Sequence, residues 1–260
     1  MAKGNMQFLR ELFEVAESLT DRSGQQIGFG LDEVGPTSPL TQDDVGMEGY
    51  KVSTVVTNSI MAAVDHVLTL RSLVTGAREI TNAAPWTLLR GVIEPSSVAV
   101  WILDEPDRAQ RRERALRVWR HDMKERSKWE KDAGVVPPPP GKKATERMKD
   151  IEEIAKRLGL RPQQVVQDLH YSTTVRDAGQ AVGLSGTEAL VRWRECSGFA
   201  HGRTWASVKL SQPVSATRLR DRDGVMVALT LSETDLERVA SLATILLNKA
   251  LSDYAEAANG

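Results

Sequence analysis

Arg194 and His201 are the two residues of this chain whose types and spacing best suit chemistry. Seven residues span almost two turns of an α-helix and about 10 Å along its axis, so both side chains would lie on one face. A guanidinium and an imidazole placed in this way can contact the same phosphate or carboxylate. Arg194 would stabilise negative charge, and His201 would transfer a proton. This pair is therefore the candidate catalytic site.

The spacing alone is a weak signal, because Arg114 and His121 repeat it. The first pair has the better context, since it lies near the end of a predicted core helix. Ser197 and its small neighbours would also let a ligand or a backbone approach closely. The structural alternative is that His201 is a buried histidine bonded to a carboxylate of the core.

Three further polar side chains interrupt apolar helices and could support this site. His66 lies within a predicted helix, and Arg90 and Glu94 lie four positions apart in the next helix, so that they face the same way. Together with Ser197 they would form a polar cluster in a cleft, where pKa values are often shifted. The alternative is a buried ion pair whose role is conformational specificity.

Other chemistries have less support in the sequence. The single cysteine, Cys196, excludes an intramolecular disulfide framework and a cysteine-based zinc site, although a reactive thiol near His201 stays open. The chain lacks a His-Glu-x-x-His motif, a calcium-type acidic loop and a Gly-x-Ser-x-Gly motif. We therefore predict no metal ion and no cofactor.

The bulk composition is that of an ordinary globular protein. The formal net charge is −1, so no global basic field indicates a nucleic-acid partner. No window approaches about 18 uninterrupted apolar residues, and residues 1–11 lack the apolar core of a signal peptide. With one cysteine as well, the sequence favours a cytoplasmic protein that does not cross a membrane.

Helical periodicity of apolar residues predicts a mainly α fold, a bundle of about seven helices in a single domain of residues 1–260. After Gly202 the period changes to about 2, which predicts short strands over residues 205–210, 214–219 and 225–231. These strands would form a small antiparallel β-meander between the last two helices.

Two segments lack this periodicity. Residues 21–50 are rich in glycine and proline, which predicts a mobile loop. Residues 134–143 include four consecutive prolines, which predict a stiff connector between two helices of the bundle.

Residues 107–132 form a densely charged predicted helix. One interpretation is a solvated helix with many ion pairs, and the other is a basic ridge that binds nucleic-acid phosphates.

Residues 192–202 read Arg-Trp-Arg-Glu-Cys-Ser-Gly-Phe-Ala-His-Gly. This segment resembles a group of bacterial helical proteins that carry an arginine, a serine and a terminal Ala/Val-His-Gly. The Asp65-His66 and Arg90-x-x-x-Glu94 stretches are similar to theirs as well. The spacing from arginine to histidine also resembles that of the HEPN superfamily of helical-bundle proteins.

The resemblance to the HEPN superfamily implies metal-independent cleavage of RNA at a cleft between two protomers. Arg194 would bind the scissile phosphate, and His201 would assist attack by the ribose 2′-hydroxyl. The chain departs from the family pattern at Glu195, where an asparagine, an aspartate or a histidine is usual. A carboxylate beside Arg194 would repel the phosphate.

Three hypotheses follow for the function. The first is a HEPN-like endoribonuclease of toxin or phage-defence type, a homo-oligomer with RNA as its partner. It predicts that the arginines of residues 107–132 lie on the same side as His201. The second is a non-catalytic helical interaction protein whose polar cluster is structural. The third is a small-molecule-binding protein that uses the cluster as an anion pocket.

Overall fold

The structure of the chain is a computed structural model that describes residues 7–20, 31, 34–76, 81–138, 140–218 and 225–259. Within these residues it contains eleven α-helices and one two-stranded antiparallel sheet. The helices are α1 (Arg10–Ser18), α2 (Pro39–Asp44), α3 (Val52–Gly76), α4 (Ala84–Leu103), α5 (Arg108–Ala133), α6 (Ala144–Arg157), α7 (Pro162–Val165), α8 (Tyr171–Ala181), α9 (Gly186–Ala200), α10 (Thr204–Leu210) and α11 (Glu233–Asn259). The strands are β1 (Ser211–Arg218) and β2 (Val225–Leu231), and a 3₁₀ turn (Gln7–Leu9) precedes α1.

This architecture confirms the predicted mainly α fold with a small antiparallel sheet between the last two helices. None of the described helices has both the length and the apolar composition needed to cross a membrane.

Helix α4 forms the centre of the bundle, where it packs against α3, α8, α9 and α11. Its second half is almost entirely apolar or small, and residues 96–102 are all buried. A helix that is apolar on every side is stable only when other elements surround it. Pro95 lies inside α4 without ending it, so residues 84–103 form one helix.

Helix α9 presents the candidate site, and its ends have clear local causes. The Ser185 hydroxyl caps its N-terminus by accepting a hydrogen bond from the Glu188 backbone N–H at 3.1 Å. Its apolar side is buried, and the Phe199 ring stacks on Trp86 of α4 with 4.6 Å between ring centroids. The helix ends at His201, and Gly202 follows with a φ of 60°, which a glycine adopts without strain.

The predicted strand at residues 205–210 is wrong, because this segment is helix α10. Its buried residues are Ala206 and Leu210, which lie four positions apart and therefore on one side of a helix. The other two predicted strands pair in the observed sheet, with Ser211 opposite Leu231. The predicted three-stranded meander is thus a two-stranded hairpin.

The predicted loop at residues 21–50 is in part helical. Residues 21–30 and 32–33 lie outside the described residues. From residue 34 onward the chain forms α2 and buries Leu40, Met47 and Tyr50. The connector after α5 has no regular structure in its described residues, 135–138 and 140–143, and it joins two helices that pack against each other.

The arginines of α5 bind neighbouring parts of the protein. Arg111 forms two hydrogen bonds to the Asp43 carboxylate at 2.6 and 2.9 Å, and Arg112 donates to backbone carbonyls of Gln42, Asp43 and Val45 at the end of α2. Further along, Arg120 pairs with Glu152 of α6 at 2.9 Å. These contacts favour the ion-pair interpretation of the charged helix over a free basic ridge. They do not support the expectation of the ribonuclease hypothesis that these arginines lie on the same side as His201.

Candidate functional site

Arg194 and His201 are both exposed, and both lie on the solvent side of α9. His201 is the residue that closes the helix, so the helical spacing between the two side chains is kept. Neither side chain forms a hydrogen bond or an ion pair with the described residues. The alternative in which His201 is a buried histidine bonded to a core carboxylate is therefore wrong.

Two more basic residues follow the pair in the chain and are equally exposed. Arg203 precedes α10, and Lys209 lies in its last turn. Their side chains also lack a hydrogen-bond or ion-pair partner in the part of the chain that the structure describes. The segment from Arg194 to Lys209 thus presents three unpaired basic side chains together with His201, in contrast to the paired arginines of α5.

Glu195 points away from Arg194. Its side chain is buried, and one carboxylate oxygen lies 3.7 Å from the Arg238 guanidinium of α11. The other oxygen has no hydrogen-bond partner among the described residues. Burial raises the pKa of Glu195 above its usual value. Adjacent residues on a helix point about 100° apart, so Glu195 faces the protein interior while Arg194 faces solvent.

Arg90 and Glu94 do form the predicted pair, and a residue that the sequence did not indicate completes it. Arg90 Nε and the indole N–H of Trp193 each donate to the same oxygen, Glu94 Oε1, at 2.8 Å. The Arg90 guanidinium also lies 6.0 Å from the centroid of the Trp193 ring. All three side chains are half-buried, which makes the cluster a polar link between α4 and α9.

His66 lies next to this cluster without joining its hydrogen bonds. Its Nδ1 is 2.7 Å from the carbonyl oxygen of Ala62, one turn earlier in α3. Its ring covers Gly91 of α4 so closely that a Cβ on that glycine would lie 2.2 Å from the ring. The role of His66 that the structure displays is therefore close packing of α3 against α4.

Ser197 lies between the cluster and the Arg194/His201 pair on the surface of α9. It is half-buried and follows Trp193 by one turn, as His201 follows Ser197. No hydrogen bond or ion pair between described residues joins the cluster to Arg194 or His201. The cluster and the pair are thus two neighbouring groups on one helix.

Cys196 is fully buried as a free thiol. Burial raises the pKa of Cys196 well above its usual value, so the thiolate needed for nucleophilic attack is disfavoured. The reactive-thiol alternative has no support in this geometry.

The second arginine and histidine with the same spacing, Arg114 and His121 of α5, have other partners in the protein. Arg114 donates to the carbonyl of Trp101 and pairs with Glu105 at 2.7 Å. His121 is half-buried, and its ring meets the Tyr171 ring edge to face with 6.2 Å between the centroids. Because Arg114 is already fully engaged, this pair does not form a site.

A scan against protein-family models and searches of curated proteins and of solved structures found no match to this chain. Among the described residues, no group of three or more His, Cys, Asp or Glu side chains is placed to hold a metal ion. The geometry and charge of the described residues are therefore the basis on which a function is assigned.

Proposed function

We propose that this chain is a metal-independent endoribonuclease of HEPN-like type, with Arg194 and His201 in its active site and a toxin or phage-defence role. The observation that carries the proposal is the contrast between two basic regions. The arginines of α5 are paired within the protein, whereas Arg194, Arg203 and Lys209, in the segment that contains His201, are exposed and have no acidic partner among the described residues. Unpaired basic side chains are available for phosphates.

The chemistry assigned to this site is transesterification of RNA. His201 takes the proton of a ribose 2′-hydroxyl, whose oxygen attacks the adjacent phosphorus. The P–O5′ bond breaks, which leaves a 2′,3′-cyclic phosphate and a free 5′-hydroxyl after O5′ receives a proton. Arg194 stabilises the negative charge that develops on the phosphoryl oxygens. No step requires a metal ion.

The reaction needs both a base and an acid, and a second copy of the chain would supply the second histidine. Three large apolar side chains of α9 and α10 are exposed: Val191 is 48% exposed, Trp205 50% and Val208 68%. We propose that they form one apolar patch, which is typical of a protein interface. In a two-fold symmetric dimer the same surface of each copy meets, so both His201 side chains would face one cleft.

The test is cleavage of a fluorescent single-stranded RNA by the purified protein in the presence of EDTA. We expect wild type to form products that end in a 2′,3′-cyclic phosphate, and His201→Ala to be slower by about 100-fold or more. His170→Ala is the matched control, because His170 is also an exposed histidine at a helix end and should leave the rate unchanged. A 2′-O-methyl RNA of the same sequence should resist cleavage.

Intact RNA with wild type, or equal cleavage by wild type and folded His201→Ala, would contradict the proposal. The second result would identify a contaminating nuclease.

A second candidate is a non-catalytic interaction protein, and the hairpin is the observation that favours it. Val214, Val225, Met226 and Val227 are all exposed on this two-stranded sheet. A two-stranded sheet has two open edges and is marginally stable without a covering partner. Intact RNA, combined with stable self-association that is lost in Met226→Asp, would support this candidate.

A further inference from the structure

An open cavity of about 600 Å³ lies between α3 and α5, and Pro95 of α4 and Tyr171 of α8 also line it. This volume is within the range of about 300–1,000 Å³ that is typical of small-molecule sites. Neither Arg194 nor His201 lines it, so it is separate from the proposed ribonuclease site. The sequence indicated no site here.

The charged groups in the wall are acidic. Asp122 and Glu125 line the cavity, and no lysine or arginine does so among the described residues. Glu125 is paired with Lys128 at 2.6 Å, whereas Asp122 has no hydrogen-bond or ion-pair partner among those residues. The uncompensated carboxylate of Asp122 disfavours an anion and attracts a cation.

The remaining wall suits an apolar or aromatic body. Trp119 and Tyr171 contribute rings, and valine, alanine and proline side chains contribute apolar surface. The Trp119 ring is held in place by a hydrogen bond from its indole N–H to the Lys51 carbonyl at 3.1 Å. Aromatic faces attract ligand cations in addition to packing against ligand carbon atoms.

His121 contributes its ring to the wall. Its Nδ1 is buried, so this atom is not accessible from the open space of the cavity. The carboxylate of Asp122 therefore decides which ligand charge the cavity favours.

We propose that this cavity binds a small organic cation, an ammonium group carried on an apolar or aromatic body. The ammonium pairs with Asp122, while the body packs between Trp119 and Tyr171. The proposal is independent of RNA cleavage, because it uses none of the residues of the other site.

The test is binding of 2-phenylethylamine, compared with 3-phenylpropionate, which has a similar size and the opposite charge. Binding is measured by titration calorimetry and ligand-observed NMR. The ionic strength is kept low, because salt screens the attraction between exposed charges. We expect the amine to bind with a Kd of about 1 mM or tighter, as is usual for so small a ligand, and the carboxylate to bind much more weakly.

Asp122→Asn keeps the shape of the side chain and removes its charge, and it should weaken amine binding about fivefold. Asp132→Asn is the matched control, an exposed aspartate of the same helix outside the cavity, and it should leave the Kd unchanged. Circular dichroism checks that both variants are folded.

Three results would overturn the proposal: no amine binding up to about 5 mM, well above the expected Kd, equal binding of the amine and the carboxylate, or unchanged amine binding in folded Asp122→Asn. The first two are measured on wild type and do not depend on the folding of a variant.

Discussion

Trp193 donates its indole N–H to the carboxylate of Glu94 at 2.8 Å, across the interface between α9 and α4. The bond ties the helix that carries Arg194 and His201 to the central helix of the bundle. The same oxygen accepts a hydrogen bond from Arg90 Nε, so two residues hold the Glu94 carboxylate in place. The position of the candidate site therefore depends on a contact between residues that are 99 positions apart.

Trp193→Phe tests this contact, because it keeps a ring and removes only the N–H donor. We expect the free energy of unfolding to fall by about 1 kcal/mol, the usual net value of one hydrogen bond, and Tm to fall by about 2–4 °C. Trp129→Phe is the control, since Trp129 is 58% exposed. A Trp193→Phe variant as stable as wild type in urea unfolding would indicate that the contact contributes nothing.

Gly91→Ala tests the close approach of His66 to α4. Alanine normally stabilises a helix relative to glycine, but here its Cβ would lie 2.2 Å from the His66 ring. We expect a loss of about 1–3 kcal/mol from overpacking.

The double variant His66→Ala/Gly91→Ala should recover part of that loss, because the smaller side chain leaves room for the new methyl group. Gly76→Ala is the control at a helix end with no atom within 4 Å. Strict additivity of the two changes in a double-mutant cycle would contradict direct contact.

Glu195→Gln tests the pKa shift of the buried carboxylate. Burial raises the pKa of Glu195 in the folded protein, while the unfolded chain keeps an ordinary value of about 4.3. Between these two pKa values the folded state binds more protons, so stability falls as the pH rises through that window.

The stability of wild type minus that of Glu195→Gln should therefore decrease as the pH is raised from about 4 towards neutrality. Urea unfolding at several pH values measures this difference. The control is Glu237→Gln, at an exposed position of α11, the helix that packs near Glu195. Its stability should vary with pH as that of wild type does. A difference that stays constant with pH would contradict the shift.

Asp43→Ala tests the ion pair that joins α2 to α5. Asp43 is 1% exposed and receives two hydrogen bonds from Arg111. Removing one partner of a buried pair leaves the other charge uncompensated, so we expect a loss of about 3–5 kcal/mol in thermal or urea unfolding. Glu153→Ala breaks an exposed pair with Lys156 and should leave Tm almost unchanged. Similar effects of the two substitutions would mean that burial of the pair is unimportant.

Expression in bacteria tests the proposed toxin role. Wild type should slow growth and fragment cellular RNA, and His201→Ala should do neither at the same protein level. Arg194→Ala should also be harmless, because the phosphate would lose its stabilising charge. Harmless expression of folded wild type, with intact RNA, would speak against the role.

Local sequence determined much of the helical framework. The spacing of apolar residues places the long helices, since one side of each must be buried. Ser185 caps α9, and Arg90 pairs with Glu94, because both interactions join residues three or four positions apart. Such contacts form within one or two turns and depend little on the rest of the protein.

Tertiary packing decided what local spacing could not. Residues 205–210 alternate like a strand, yet they form α10, because Ala206 and Trp205 pack against Gly198 of α9. Trp193 reaches Glu94 only because α9 lies against α4. Burial of Glu195 beside exposed Arg194 also depends on where α11 packs, since periodicity defines the sides of a helix but not which of them a neighbour will cover.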